Sequence, residues 1–268
     1  ALAAAPLEGA ETWHTHLVVA LARLRRGEVE QALGVLSKAI GKWPAAVALR
    51  HQAARILRWR GEHARALKHA ERGLTVTQDH GGLQVEQALL QALTGRSPAQ
   101  PKPSPNTPRL RCLSAMVPAL VARRNSTARA AKLAAAAARV DPGCIYAKMW
   151  RVRWLLHPGG DADRALSTLE PISAAVRPLN PAFPVWVGRA YLRLGRPHEA
   201  AQVLQRVDRT LLSEQDAAAL QRLAIRIAHG VDDSAALAKR CAKAAKLDPT
   251  ARMACVEAWL ERSKLKRG

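Results

Sequence analysis

Small and apolar residues return along this chain at helical spacings of three and four, with a glycine or proline closing each run. In RRGEVEQALGVLSKAIGKWP, Gly27 is followed by Ala32, Leu36 and Ala39 before Pro44. In WRGEHARALKHAERGL, Gly61 is followed by Ala66, Ala70 and Gly73 at the same offsets, and the step from Gly27 to Gly61 is 34 residues. β-Branched residues are scattered and never alternate as a half-buried strand would require. The pattern predicts paired helices and no sheet.

Further units follow the same rule. PVWVGRAYLRLGRPHEAAQVLQRV places Gly188, Tyr191, Gly195, Ala200, Leu204 and Val207 at small, aromatic, turn, small, large and medium positions. Two units close on Asp-Pro: one carries Ala130, Ala134, Ala137 and Pro142, the other Leu237, Cys241, Ala244 and Pro249. A weaker one, HPGGDADRALSTLEP, has Gly160, Ala165 and Leu169 but departs at Pro171 and Ile172, which predicts a short or bent second helix. This period and these small residues resemble the tetratricopeptide repeat. The resemblance implies an all-α fold, an α-solenoid of antiparallel helix pairs with about six repeats plus capping helices.

Two organisations fit the segment SPAQPKPSPNTP, which is too rich in proline to be helical. In the first, 1–95 is an N-terminal block of two repeats with Gly82–Leu93 as its capping helix, 96–109 is a linker, and 110–268 is a block of four repeats ending in a cap over Thr250–Lys264. In the second, the array is one continuous superhelix, 96–109 is a loop insertion, and the helix at 110–124 takes the place of the missing partner of Gly82–Leu93.

Composition adds charge to this frame. Forty-two Lys and Arg against twenty-one Asp and Glu leave a net charge of +21, heavier after residue 100 than before it, which implies an anionic partner or surface, with coding drift towards Arg and Ala as the alternative. No run of about 18 apolar residues occurs, so a soluble or peripheral protein is expected. The sequence opens on Ala1, from which removal of an upstream segment is expected, a targeting signal among the candidates. Cys112, Cys144, Cys241 and Cys255 lack CxxC pairing, and no histidine completes a zinc set, so neither metal nor cofactor is expected. Their positions permit Cys112–Cys144 and Cys241–Cys255 bridges, which would mean an oxidising compartment. Small apolar cysteines in alanine-rich helices are the alternative, one the composition favours and one that goes with a cytoplasmic protein.

The resemblance implies a concave surface lined by the first helix of each pair. Carried onto this sequence, the inward positions include Ala48, His51, Arg55, Arg58 and Trp59, then Trp150, Trp154 and His157, then Val185, Arg189, Leu192 and Arg193, then Arg222, Arg226 and His229. Residues four apart share a helix face, so Arg189 with Arg193, Arg222 with Arg226, and Trp150 with Trp154 are expected to point together. The candidate partner-binding set is His51, Arg55, Arg58, Trp59, Trp150, Trp154, Arg189, Arg193, Arg222 and Arg226, with the tryptophans alternatively packed in the core. Guanidinium groups bind carboxylate or phosphate in a bidentate way, and indole adds apolar area. The family's carboxylate clamp for chaperone tails requires an Asn that is missing beside His51 and Arg55, so that use is not expected.

No catalytic spacing of His, Cys or carboxylate and no glycine-rich phosphate loop occurs, so no enzyme is expected. The expected function is a protein-interaction scaffold or complex-assembly subunit that holds an acidic segment of a protein partner. The alternative is a nucleic-acid-binding helical repeat, for which the charge fits and the few interleaved tryptophans do not.

Overall fold

The computed structural model describes residues 12–99, 107–157, 160–172, 180, 182–205, 207, 208, 212, 214–230, 241 and 255. The described residues form twelve α-helices and no strand: α1 Trp13–Arg25, α2 Val29–Lys42, α3 Val47–Trp59, α4 His63–Leu74, α5 Gly81–Thr94, α6 Pro108–Ala122, α7 Thr127–Val140, α8 Ile145–Leu155, α9 Ala162–Leu169, α10 Phe183–Arg193, α11 Pro197–Gln205 and α12 Glu214–Gly230. They fall into two compact units, residues 1–147 and 148–268, with the division inside α8.

The 34-residue step is a backbone device. Gly27, Gly61 and Gly95 all take a left-handed conformation, with φ of 81°, 83° and 92°, and Gly195 does the same at 70°. After each one the next amide donates to the carbonyl five residues back, as in Glu28 N to Arg23 O at 3.0 Å and Glu62 N to Leu57 O at 2.9 Å. This bond closes the end of a helix, and it requires a residue without a Cβ penalty at positive φ. Polar caps start the helices: Thr12, Thr107, Ser126 and Asp161 accept from the amides of Thr15, Leu110, Arg129 and Arg164.

The small residues of the repeat lie where helices cross. Ala32, Leu36, Ala39, Ala66, Ala70, Ala130, Ala134, Ala165 and Ala200 are fully buried. In unit 1, α1 packs on α2, α3 on α4, α4 on α5, and α6 on α7. In unit 2, α10 packs on α9, α11 and α12 around Val185, Ala200, Leu220, Leu223 and Ile227. Gly188 lies at a close crossing: a Cβ there would lie 3.0 Å from Leu204 Cδ2 and 3.3 Å from Leu223 Cδ2. The weak unit behaves as its sequence predicts, since α9 has eight residues and gives way to a 3₁₀ turn over Glu170–Ile172.

The helices on either side of 96–109 pack against each other. Arg123 Nη2 donates to Leu93 O at 3.0 Å and Arg124 Nη2 to Ala92 O at 3.1 Å, so the C-terminal ends of α5 and α6 meet. Those contacts set α6 beside α5 as the first helix of the next pair, with α7 as its second. Gly95 still makes the repeat's turn, and the next helix among the described residues is α6, which starts at Pro108. Unit 1 therefore includes both sides of 96–109, and no division falls there. The capping helix expected over Thr250–Lys264, and the repeat positions Leu237, Ala244 and Pro249, lie outside the described residues.

Both cysteine pairs are disulfides, which corrects the expectation of unpaired small apolar cysteines. Cys112 is bonded to Cys144 across a Cα–Cα distance of 6.5 Å, and Cys241 to Cys255 across 5.7 Å. No free cysteine is left.

Candidate binding site

In unit 1 the candidate residues gather on α3. Arg58 is buried, and it faces Glu86 of α5, which is also buried. Nε donates to Oε2 at 2.6 Å and Nη2 to Oε1 at 3.0 Å, a bidentate pair. The ring of Tyr146 lies 4.1 Å from Arg58 Cζ, and Trp59 meets the same ring edge-on at 5.5 Å. Burial alone would drive Arg58 towards the neutral form, but Glu86 and then Tyr146 hold its pKa above the ordinary value. Burial would likewise raise Glu86, yet Arg58 outweighs it and keeps the carboxyl below the usual range. Arg58 and Trp59 are therefore core residues of unit 1 and offer no open surface.

His51 and Arg55 lie on the same helix nearer the surface. A Cβ on Gly82 would come within 2.6 Å of His51 Cε1, so α5 starts directly against that ring. His80, whose Nδ1 accepts from Leu83 N to cap α5, faces His51 edge-on at 5.2 Å. Burial lowers the His51 pKa to about 4; Arg55, His80 and Arg58 add to that and Glu86 opposes it. Arg55 donates to Gln52 Oε1 at 3.1 Å, and burial followed by the charge of Arg109 lowers its pKa.

Unit 2 holds the larger basic cluster. Arg189 and Arg193 are one turn apart on α10, Arg222 and Arg226 one turn apart on α12, and α10 crosses α12 at Gly188 and Leu223. Burial, then the charges of Arg226, Arg193, Arg153 and Arg222, lower the pKa of Arg189. Arg189 thus lies within reach of four other guanidinium groups, and both Arg189 and Arg226 are exposed. The sequence did not single out Arg153; its guanidinium lies 4.9 Å over the ring of Trp150. The two tryptophans contact each other at 5.5 Å and both are about 7% exposed, so they sit in the core of unit 2.

Arg193 has a task the sequence did not reveal. Nη1 donates to Leu155 O at 3.1 Å and His157 O at 2.6 Å, and Nη2 donates to Gly160 O at 2.8 Å. It closes the C-terminal end of α8, as Arg123 and Arg124 close that of α5.

Among the described residues no group of three or more His, Cys, Asp and Glu could hold a metal ion, and no helix is long and apolar enough to cross a membrane. The paired helices, left-handed turn glycines and buried small residues define a tetratricopeptide-like α-helical repeat, with a cluster of arginines in unit 2. No family model matches the sequence, and no curated protein matches it. Among solved structures the chain is similar to PilW, a widely conserved type IV pilus biogenesis factor, at 14% identity and a TM-score of 0.37, over 87% of this chain and 91% of that one. It is also similar to a tetratricopeptide repeat protein from Parabacteroides merdae ATCC 43184, at 14% identity and a TM-score of 0.41, over 92% and 98%.

Proposed function

We propose that the chain is a non-enzymatic scaffold or assembly subunit that holds an acidic segment of a protein partner on the arginine cluster of unit 2. One observation carries this reading: Arg189 sits at the surface amid Arg153, Arg193, Arg222 and Arg226, whose charges disfavour its own. Guanidinium groups gathered on one surface favour an anion placed among them. Arg189 and Arg226 are the contact residues, because both are exposed and Arg226 is the charge that acts most strongly on Arg189. A carboxylate-rich peptide fits better than nucleic acid. Sequence-tolerant binding of single strands relies on exposed aromatic faces for stacking, and Trp150 and Trp154 are buried.

Co-purification with and without nuclease tests this. The tagged chain isolated from its own cells should retain its protein partners after nuclease treatment. Loss of those partners with nuclease would instead assign the cluster to nucleic acid.

A further inference from the structure

The four cysteines of this chain form two bridges, and one of them ends beside the buried ion pair. Cys112 is fully buried on α6; Cys144 is 3% exposed and directly precedes α8. Two residues on, Tyr146 lays its ring 4.1 Å from Arg58 Cζ and meets Trp59 at 5.5 Å. Only the first residues of α8, through Ala147, belong to unit 1. The first turn of a helix lacks intrahelical partners for its amides and opens at low free energy. Here that turn carries the ring that packs on Arg58 of the Arg58–Glu86 pair, and a charge pair is costly to bury and sensitive to the shielding around it.

We infer that this chain is matured in an oxidising compartment and that the Cys112–Cys144 bridge is the clasp that keeps Tyr146 on the Arg58–Glu86 pair. Disulfides persist in such compartments and are reduced in the cytosol. Both available pairs are bonded and no cysteine is left over. The oxidant is a protein disulfide donor. One cysteine thiolate attacks the donor disulfide and releases one donor sulfur, giving a mixed disulfide; the second cysteine thiolate then displaces the other donor sulfur. The donor leaves as a dithiol carrying the two electrons and two protons that the pair has lost, and each bridge needs one such exchange.

Two measurements test the two halves. Chain isolated from its own cells, with a maleimide added at lysis, should show no alkylated cysteine, and its peptides should be linked 112 to 144 and 241 to 255. Alkylated thiols or another pairing would overturn the compartment assignment. Hydrogen exchange on the purified full chain then reads the clasp. Reduction should speed exchange at the amides of Met149–Arg151, which bond back to the carbonyls of Ile145–Ala147 within α8, by about tenfold, while the amides of Ala32–Ala39 in α2 change by less than about twofold. The Cys241→Ala/Cys255→Ala variant should keep Met149–Arg151 protected until the reductant is added. Unchanged protection at Met149–Arg151 after reduction would overturn the clasp, and this reading on the unmutated chain does not depend on any Cys112 variant folding.

Discussion

His51 connects a single side chain to the pH dependence of the fold. It takes up a proton only near pH 4 in the folded chain, against 6.5 for an ordinary histidine, mainly because it is buried, with Arg55, His80 and Arg58 opposing its charge and Glu86 favouring it. Between those values the unfolded chain binds more protons than the folded one, so stability rises with pH across the window and is lost as pH falls from 6.5 towards 4. The contribution of one such group is at most about 1.4 kcal/mol per pH unit. Urea unfolding of His51→Gln should therefore show a flatter pH dependence than the parent between pH 7 and pH 4.5, and parallel curves would contradict the assignment. The ion pair next to it was less legible. Arg58 reads as an inward-facing surface position because the repeat frame marks a helix face without stating what packs over it. Glu86 lies on the same stripe of α5 as Leu83, Leu89, Leu90 and Leu93, and a carboxylate on an apolar stripe is the signal that could have revealed a buried partner.

At the scale of the helices, the repeat's own marks were readable. Gly27, Gly61 and Gly195 are turns because the geometry admits few other residues, and Ala32, Ala66 and Ala200 are buried because the crossings leave room only for a methyl. What periodicity could not carry is the way arginines bind helix ends. Arg123, Arg124 and Arg193 each reach the C-terminal carbonyls of a preceding helix, contacts spanning 30, 32 and up to 38 residues. A long cationic side chain suits that place, since the unpaired carbonyls there carry partial negative charge. Arg193→Met keeps the aliphatic stem and removes three donated bonds. It should destabilise unit 2 by about 1–3 kcal/mol, well beyond the effect of Arg189→Met at the surface. Thermal unfolding of the two variants side by side checks this; equal effects would mean that the cap adds nothing.

For the whole molecule, the charge and the fold class were legible and the use of the cysteines was not. Sequence spacing put Cys112 near Cys144 and Cys241 near Cys255, but alanine-rich helices accommodate a thiol equally well, and only their placement decided for bridges. Closing a loop of 32 residues is worth about 3–4 kcal/mol in the chain-entropy account, a large fraction of a domain's net stability. The proline-rich segment leaves two organisations open, a linker or a loop insertion, and Arg123 and Arg124 at the end of α6 reach the end of α5 across it, a contact that periodicity does not show. The tryptophans of the candidate set proved to be packing, which leaves the excess of arginine as the feature that points to a partner. The direct measurement is the affinity of a Glu- and Asp-rich peptide for the parent chain and for Arg189→Glu/Arg226→Glu at matched ionic strength. Reversing two exposed charges should weaken binding at least about tenfold with the fold intact by circular dichroism. Equal affinity in a folded variant would contradict the proposal that this cluster holds the partner.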